Sequence, residues 1–387
     1  MANLLGNNSY IKLGKQKGGG SGMGGGGTGT GGTGSTTSGM GGGGMGGGGM
    51  GGGSCAAGIT GNCGLTVDAP ATPGRVTPDI EFFLSTFMMG SQVINGVSVP
   101  VWGFNGGGGM GGGGMGGGGG MGGRFPAPAI RVRQGQIVHT HLNAMQMMAP
   151  HTIHHHGIEP SSFNDGVGHY SFDVLGSYTY QWRASQAGTY FYHCHVNTVL
   201  HAEMGMYGAL IIDPPTGPGT AFVGGPAYDV EAIWAVDDID PSWHCLPWNA
   251  ALCGGDARLN NFNPTLFCIN GLGADLTQTD PTVAITIPSG QTLLLRYIMA
   301  GYVPQRIKFP TGIGAVTIIA EDGRPLKAPQ TLAAGGSVTM TPAERYEFII
   351  KPTTTGTFPV DITYFNYRAV SGSLSQIGTI RSVITVT

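Results

Sequence analysis

Short runs in which apolar and polar residues alternate dominate the chain, and no stretch holds the three-to-four spacing of a long amphipathic helix. Alternation of period two, rich in β-branched and aromatic residues, predicts strands at 80–84, 98–102, 136–143, 177–183, 188–192 and 208–213. A stretch of Pro and Gly at 214–226 interrupts the pattern. It then resumes, predicting strands at 228–236, 283–287, 292–299, 315–320, 337–340 and 347–351. Many short strands separated by turn residues predict an all-β chain of antiparallel β-sandwiches. A lone alternation at 9–13 would need a partner sheet to be stable.

Glycine breaks this pattern twice. It supplies 74 of the 387 residues and concentrates between Gly18 and Gly53 and between Gly106 and Gly123. Methionine recurs at nearly regular intervals in both tracts, at Met40, Met45 and Met50 and again at Met110, Met115 and Met121. Such tracts bury little and have large chain entropy, so a flexible linker is the plain reading. Collagen's period of three is absent. Two sharper readings exist. Extended glycine runs can pack side by side and join subunits into a homo-oligomer or filament, and regular thioethers can collect Cu(I). The tracts and the Pro-Gly linker divide the chain into an N-terminal segment at 1–54, a domain at 55–215 with an insert at 106–123, and a domain at 227–387.

Two stretches carry chemistry. The predicted strand at 188–192 runs into His193-Cys194-His195, followed by His201 and Met206. A thiolate is soft and imidazole borderline, and two His, one Cys and a weak axial Met make a blue-copper electron-transfer site. The second His is available in the stretch His151-Thr152-Ile153-His154-His155-His156. The ligands would lie on loops at one end of a sandwich, where a rigid scaffold usually holds a site. A lone His is more often structural than a ligand, but two His-rich motifs with a Cys and a Met favour copper as the cofactor. His155 cannot face the same ion as both its neighbours, so a place behind the ligands or in solvent is expected. His139 and His141 share one face of a predicted strand. An exposed strand face is the plain reading and a metal pair the sharper one.

Only 10% of residues are charged and the net charge is −3, which disfavours nucleic acid or a strongly anionic surface as partner. No run of eighteen apolar residues occurs, so no transmembrane segment is expected. The opening residues lack a basic region followed by an apolar core, so no signal peptide is visible. With Cys194 assigned to copper, Cys55 and Cys63 are close enough to close a small loop. Cys245, Cys253 and Cys268 could give one more bridge and a free thiol, and spacing does not fix the pairing. A buried, reduced Cys268 fits its apolar setting equally. Copper and disulfides both suit an oxidising compartment, so an extracellular, cell-surface or periplasmic location is expected.

These motifs resemble those of the multicopper oxidases, whose domains are cupredoxin-like Greek-key β-sandwiches. The family's last copper motif runs His-Cys-His, then His, then Met five residues on, and His201 and Met206 keep that final spacing. Its His-x-x-His-x-His motif is matched by His151, His154 and His156. The resemblance implies a type 1 copper held by His151, Cys194, His201 and Met206. It implies a second copper site at His154, His156, His193 and His195. Cys194 to His201 is two residues longer than in laccases, with Val199 where the His would fall. A small loop insertion accounts for this, and Met204 is the alternative axial ligand. The stretches 102–106 and 126–133 resemble the two ends of a cupredoxin loop, with the second glycine tract inserted between them. The stretches 262–271 and 320–323 resemble the family's second domain, so the likeness covers residues 75–387 outside the insert.

The resemblance implies two cupredoxin-like domains with copper in the first only, and a redox protein that transfers electrons or oxidises a substrate, with an unidentified redox partner. A full trinuclear cluster in this family draws half of its histidines from each of two domains. The C-terminal half offers only His244. The second copper site is therefore expected to be partial, open to solvent or completed across a subunit contact, with His139, His141 or His169 as candidates to complete it. Reduction of oxygen would then be weak. The rival reading is an extracellular self-assembling protein on a cupredoxin scaffold, favoured by the glycine tracts. Copper storage by the Met-Gly tracts is a third.

Overall fold

The computed structural model describes residues 76–107, 125–144, 149–168, 171–250, 259, 261–367 and 375–387. The segment 1–54, the glycine insert beyond Gly107, Cys55, Cys63, Cys253 and His169 lie outside the described residues. The first half forms β1 (Ile80–Ile94), β2 (Val97–Gly107), β3 (Ala127–Arg133), β4 (Ile137–Asn143), β5 (His154–His156), β6 (Ser177–Arg183) and β7 (Gly188–His193). A short helix α1 (Thr198–Glu203) and β8 (Tyr207–Asp213) complete it. These strands make two four-stranded sheets, ordered β2-β1-β4-β6 and β3-β8-β7-β5. The β1–β2 hairpin turns at Asn95-Gly96, both at positive φ (51° and 78°), the pair that a two-residue hairpin requires.

The second half forms β9 (Val230–Ile239), β10 (Leu266–Ile269), β11 (Ile285–Ile287), β12 (Leu293–Met299), β13 (Gln305–Lys308) and β14 (Val316–Glu321). It continues with β15 (Arg324–Leu332), β16 (Ser337–Met340), β17 (Arg345–Ile350), β18 (Gly356–Asn366) and β19 (Ser375–Val386). Its sheets are ordered β10-β9-β12-β17-β14-β15 and β11-β19-β18-β13-β16. The chain is thus built as two cupredoxin-like sandwiches. Each of the four sheets includes one parallel pair among antiparallel ones: β1 with β4, β3 with β8, β9 with β12, and β11 with β19. Those pairs join strands that are distant in sequence, which alternation alone does not reveal.

Side-chain alternation sorts the faces. On β4, Val138 and Leu142 enter the core with Thr140, while His139 and His141 stand on the opposite, outer face. On β7, Tyr190 and Tyr192 join the N-terminal core. Phe191 faces the other way and packs, with Tyr207, Ala209 and Ile211, against Ile233, Ala235 and Ile298 of the C-terminal sandwich. Every residue of β7 and β8 is therefore buried.

Ion pairs cross the same junction. Arg131 holds Asp213 at 2.7 Å and Glu231 at 2.6 Å. Glu231 also meets the fully buried Arg296 at 2.7 Å, and Arg296 meets Glu347 at 2.7 Å. Glu347 accepts the Thr189 hydroxyl of β7 at 2.7 Å.

Candidate metal centre

Cys194 follows directly on β7, and its backbone N–H donates to the Met206 carbonyl at 3.0 Å. That bond closes a loop in which α1 carries His201, so the longer spacing between Cys194 and His201 folds as a single helical turn and a half rather than a loose loop. Asn197 opens it at positive φ (42°) and accepts the backbone N–H groups of Leu200 and His201 at 2.9 and 3.0 Å. The result points Nδ1 of His201 at Cys194 Sγ across 3.3 Å. His151 arrives from the other side through an isolated bridge with Val174, and its Nδ1 lies 3.7 Å from the same sulfur. All three side chains are buried, and their candidate ligand atoms lie within 4.8 Å of one another. Met204 and Met206 are both fully buried.

The second cluster shares the end of β7. His154, His156 and His193 bring ligand atoms within 4.8 Å of one another. β5 and β7 pair His154 with His193 and His156 with Phe191. The His195 ring stands 5.4 Å from that of His154 and 5.7 Å from that of His193, centre to centre. Ring orientation is set from outside the cluster. His154 Nδ1 donates to the Asp165 carbonyl at 2.7 Å, and His193 Nδ1 to the Cys194 carbonyl at 2.9 Å. Each of those two rings therefore keeps the Nε2 lone pair for a metal.

A family model described as multicopper oxidase matches residues 116–217, the stretch that carries both clusters. The L-ascorbate oxidase of Cucumis sativus is 35% identical over 127 residues, 32% of this chain and 20% of that protein. Laccase-18 of Oryza sativa subsp. japonica is 31% identical over 245 residues, 59% of this chain and 37% of that protein. The chain thus spans well under half the length of these relatives. The crystal structure of the blue copper oxidase from Nitrosomonas europaea superimposes with a TM-score of 0.58 at 27% identity, covering 79% of this chain and 85% of that one. Family model, relatives and solved structure all support the multicopper oxidase/cupredoxin superfamily, the family model itself covering residues 116–217.

The cofactor of a multicopper oxidase is copper, and the donor sets fit it. Burial drives the His151 imidazole down to about 3 and that of His201 to about 4, so both are neutral at neutral pH. His201 Nε2 donates to the Trp248 carbonyl at 3.2 Å, which leaves Nδ1 as the lone pair facing sulfur. His151 Nε2 is buried with no partner, so nothing competes for that ring. Burial pushes the Cys194 thiol up to about 11, so a metal that takes up this sulfur must displace its proton. In the second cluster burial, and then the nearby Arg345 cation, hold His156 at about 3. Burial keeps His193 well below the usual imidazole range.

The structure also separates residues that the sequence grouped. His155 is not in solvent. It turns into the core, where its ring lies 4.8 Å from Trp182 and its Nε2 3.0 Å from the Thr140 hydroxyl. His139 and His141 stand on the outer face of the other sheet and do not complete the second cluster within the chain. They meet Glu81 instead. His244, the one histidine of the C-terminal half, bonds the Pro100 carbonyl and lies 3.5 Å from Glu203, so it is not in either cluster. Among the described cysteines, Cys194, Cys245 and Cys268 are free, so the bridge expected among Cys245, Cys253 and Cys268 does not join the described pair. Sequence reasoning missed the Trp248 carbonyl, because a backbone acceptor leaves no residue signal. It missed Arg345 because nothing local ties that residue to a site in the other sandwich.

Proposed function

We propose that this chain is a copper-dependent redox protein. His151, Cys194, His201 and Met206 would hold a type 1 copper and His154, His156, His193 and His195 a second copper site, and the two would supply one-electron chemistry. The observation that carries the reading is the direct linkage of the two clusters: Cys194 and His193 are adjacent, and His193 Nδ1 also bonds the Cys194 carbonyl at 2.9 Å. Copper, when bound, supplies a one-electron Cu(II)/Cu(I) couple. The chain's own residues do the rest. Cys194 offers a covalent route out of the first site, and His193 a hydrogen-bonded shortcut beside it. Tyr192, Leu200 and Met206, all fully buried, keep water from the sulfur.

We place both sites in a domain at 55–215 and read 227–387 as a second, copper-free sandwich. His244 is bonded elsewhere, so the second site receives no histidine from that half. It is then partial, or completed by a neighbouring copy in a homo-oligomer. Electron transfer or simple substrate oxidation follows as the activity, with weak reduction of oxygen. An oxidising compartment outside the cytoplasm suits this chemistry.

Cys194→Ser should abolish the blue absorption of the copper-loaded protein while the fold is kept, because a hydroxyl is a poor copper ligand of similar size. Met206→Leu should keep the colour and raise the reduction potential, since loss of a weak axial thioether disfavours Cu(II). An unchanged visible spectrum in the Ser variant ends the assignment. A raised potential in Met204→Leu in place of Met206→Leu moves the axial role to Met204.

A further inference from the structure

We infer that Glu81, His139 and His141 form a third metal site, for copper(II) or zinc(II), on the face of the N-terminal sandwich away from both His clusters. The register of three strands builds it. β1 and β4 run parallel with Glu81 opposite His139 and Phe83 opposite His141. β6 lies on the other side of β4, with Gln181 opposite His139 and Thr179 opposite His141. Phe82 and Leu84 of β1 enter the core, as do Val138 and Leu142 of β4. The odd-numbered residues of both strands therefore share the outer face.

The donor atoms converge. His141 Nε2 lies 3.1 Å and His139 Nδ1 3.9 Å from the same oxygen, Glu81 Oε1. All three groups offer ligand atoms within 4.8 Å of one another. A surface ion pair accounts for Glu81 and His141 alone. It does not account for His139, which is only 1% exposed yet makes no hydrogen bond at either ring nitrogen. The Gln181 side chain and the Val76 backbone lie beside that ring, and both polar atoms of the buried Gln181 amide lack a well-formed hydrogen bond. Buried polar atoms are normally satisfied, and orphans beside a carboxylate and a second imidazole call for a partner such as an ion.

The surroundings match a metal site in two further ways. His141 Nδ1 meets the Thr179 hydroxyl at 2.8 Å and its ring stacks on Phe83 at 4.4 Å, so the imidazole is held from behind as ligating histidines are. His141 also lines a cavity of about 560 Å³ with Ser85, Asn105, Asn143 and Thr179, so the face is open beside that ring. Two imidazoles and one carboxylate form a borderline N/N/O set, which suits zinc(II) and, by the general affinity order, copper(II) more tightly still.

The test counts metal. The full-length protein is stripped, dialysed against zinc(II) in one arm and copper(II) in the other, and its bound ions measured. Glu81→Gln/His141→Gln is compared with the unmodified chain, and His139→Leu serves as a second variant from the buried side. Each variant should take up one ion fewer in at least one arm. The blue absorption at Cys194 should be unchanged, which reports that the fold and the first copper site are intact. A deficit in the zinc arm only, or in the copper arm only, supports the site and names its metal. Equal counts for both variants and the unmodified chain in both arms overturn it. Because the blue signal is read separately, failure of this site and failure of the type 1 assignment are distinguishable.

Discussion

Thr140→Val tests how β5 is anchored, and with it the placement of His154 and His156. β5 has three residues, and alternation sends His155 inward while its neighbours face the second cluster. One hydroxyl holds the inward residue. Thr140 Oγ1 accepts the Trp182 indole N–H at 3.0 Å and lies 3.0 Å from His155 Nε2, so its own proton is donated to the imidazole. Burial keeps that imidazole near 3, neutral and able to accept. Valine fills the same volume without the hydroxyl and leaves two buried polar atoms unpartnered. At about 1–3 kcal/mol for each orphaned group, the expected loss of unfolding free energy is roughly 2–6 kcal/mol. That is a large share of the ~5–15 kcal/mol typical of a folded domain. Urea unfolding of the metal-free protein, followed by tryptophan fluorescence, measures it directly. Copper uptake by the second cluster should weaken about 10–100-fold, the usual effect of disturbing what positions a ligand. A variant within about 0.5 kcal/mol of the unmodified protein, with unchanged copper affinity, refutes the reasoning.

Two further expectations concern the junction of the sandwiches. Arg296→Met should cost about 3–5 kcal/mol in urea unfolding, because it strands the buried Glu347 carboxylate, and Arg296→Met/Glu347→Leu should recover much of that; a single variant as stable as the unmodified chain removes the network from the account. Burial lifts Asp237 to about 7, Asp238 to about 8 and Glu203 well above the usual carboxylate range. A raised folded pKa means that the native state holds the proton longer. Stability from these groups is therefore full below pH ~4 and is lost as pH rises through 7 to 8, at up to ~1.4 kcal/mol per pH unit for each proton. Glu203→Gln imitates the protonated acid and should make that decline shallower in urea midpoints measured across this range. An unchanged slope would show that Glu203 is ionised in the fold.

Much of the fold was legible because alternation is a local signal. The strands at 136–143 and 177–183 coincide closely with β4 and β6. What the pattern lost follows the same logic. β15 is largely exposed and β19 mixes Gly, Ser and Thr with its apolar residues, so neither shows a clean two-residue period. α1 spans six residues, too few for a helical period to register. The copper-type motifs were legible because chemistry restricts them: few residue types suit a soft metal, and the chain places them close together. His155 was set apart from its neighbours in the sequence, but only the strand, which turns neighbours to opposite faces, shows it packed inward on Thr140 and Trp182. The Glu81 group was half visible. His139 and His141 stood out as a pair, but their third partner comes from a strand far earlier in the chain, and only the parallel register of β1 and β4 shows it.

The C-terminal sandwich offers no histidine to the clusters, yet it shapes them both. Its Trp248 carbonyl takes the Nε2 proton of His201, and without that acceptor the ring is free to present either nitrogen to the sulfur. Asn197, which opens α1, also reaches across to the carbonyls of Trp248 and Ala250 at 3.2 and 2.7 Å, so the helix carrying His201 is held from the far side. At the second cluster the contribution is a charge. The Arg345 guanidinium lies against Phe191 and lowers the proton affinity of His156, and a metal ion there meets the same repulsion as a proton. Its pairing with Asp322 at 3.0 Å offsets part of that field, but Asp322 is half exposed while Arg345 is buried. A cationic side chain at this edge therefore disfavours a build-up of positive charge in the proposed second site.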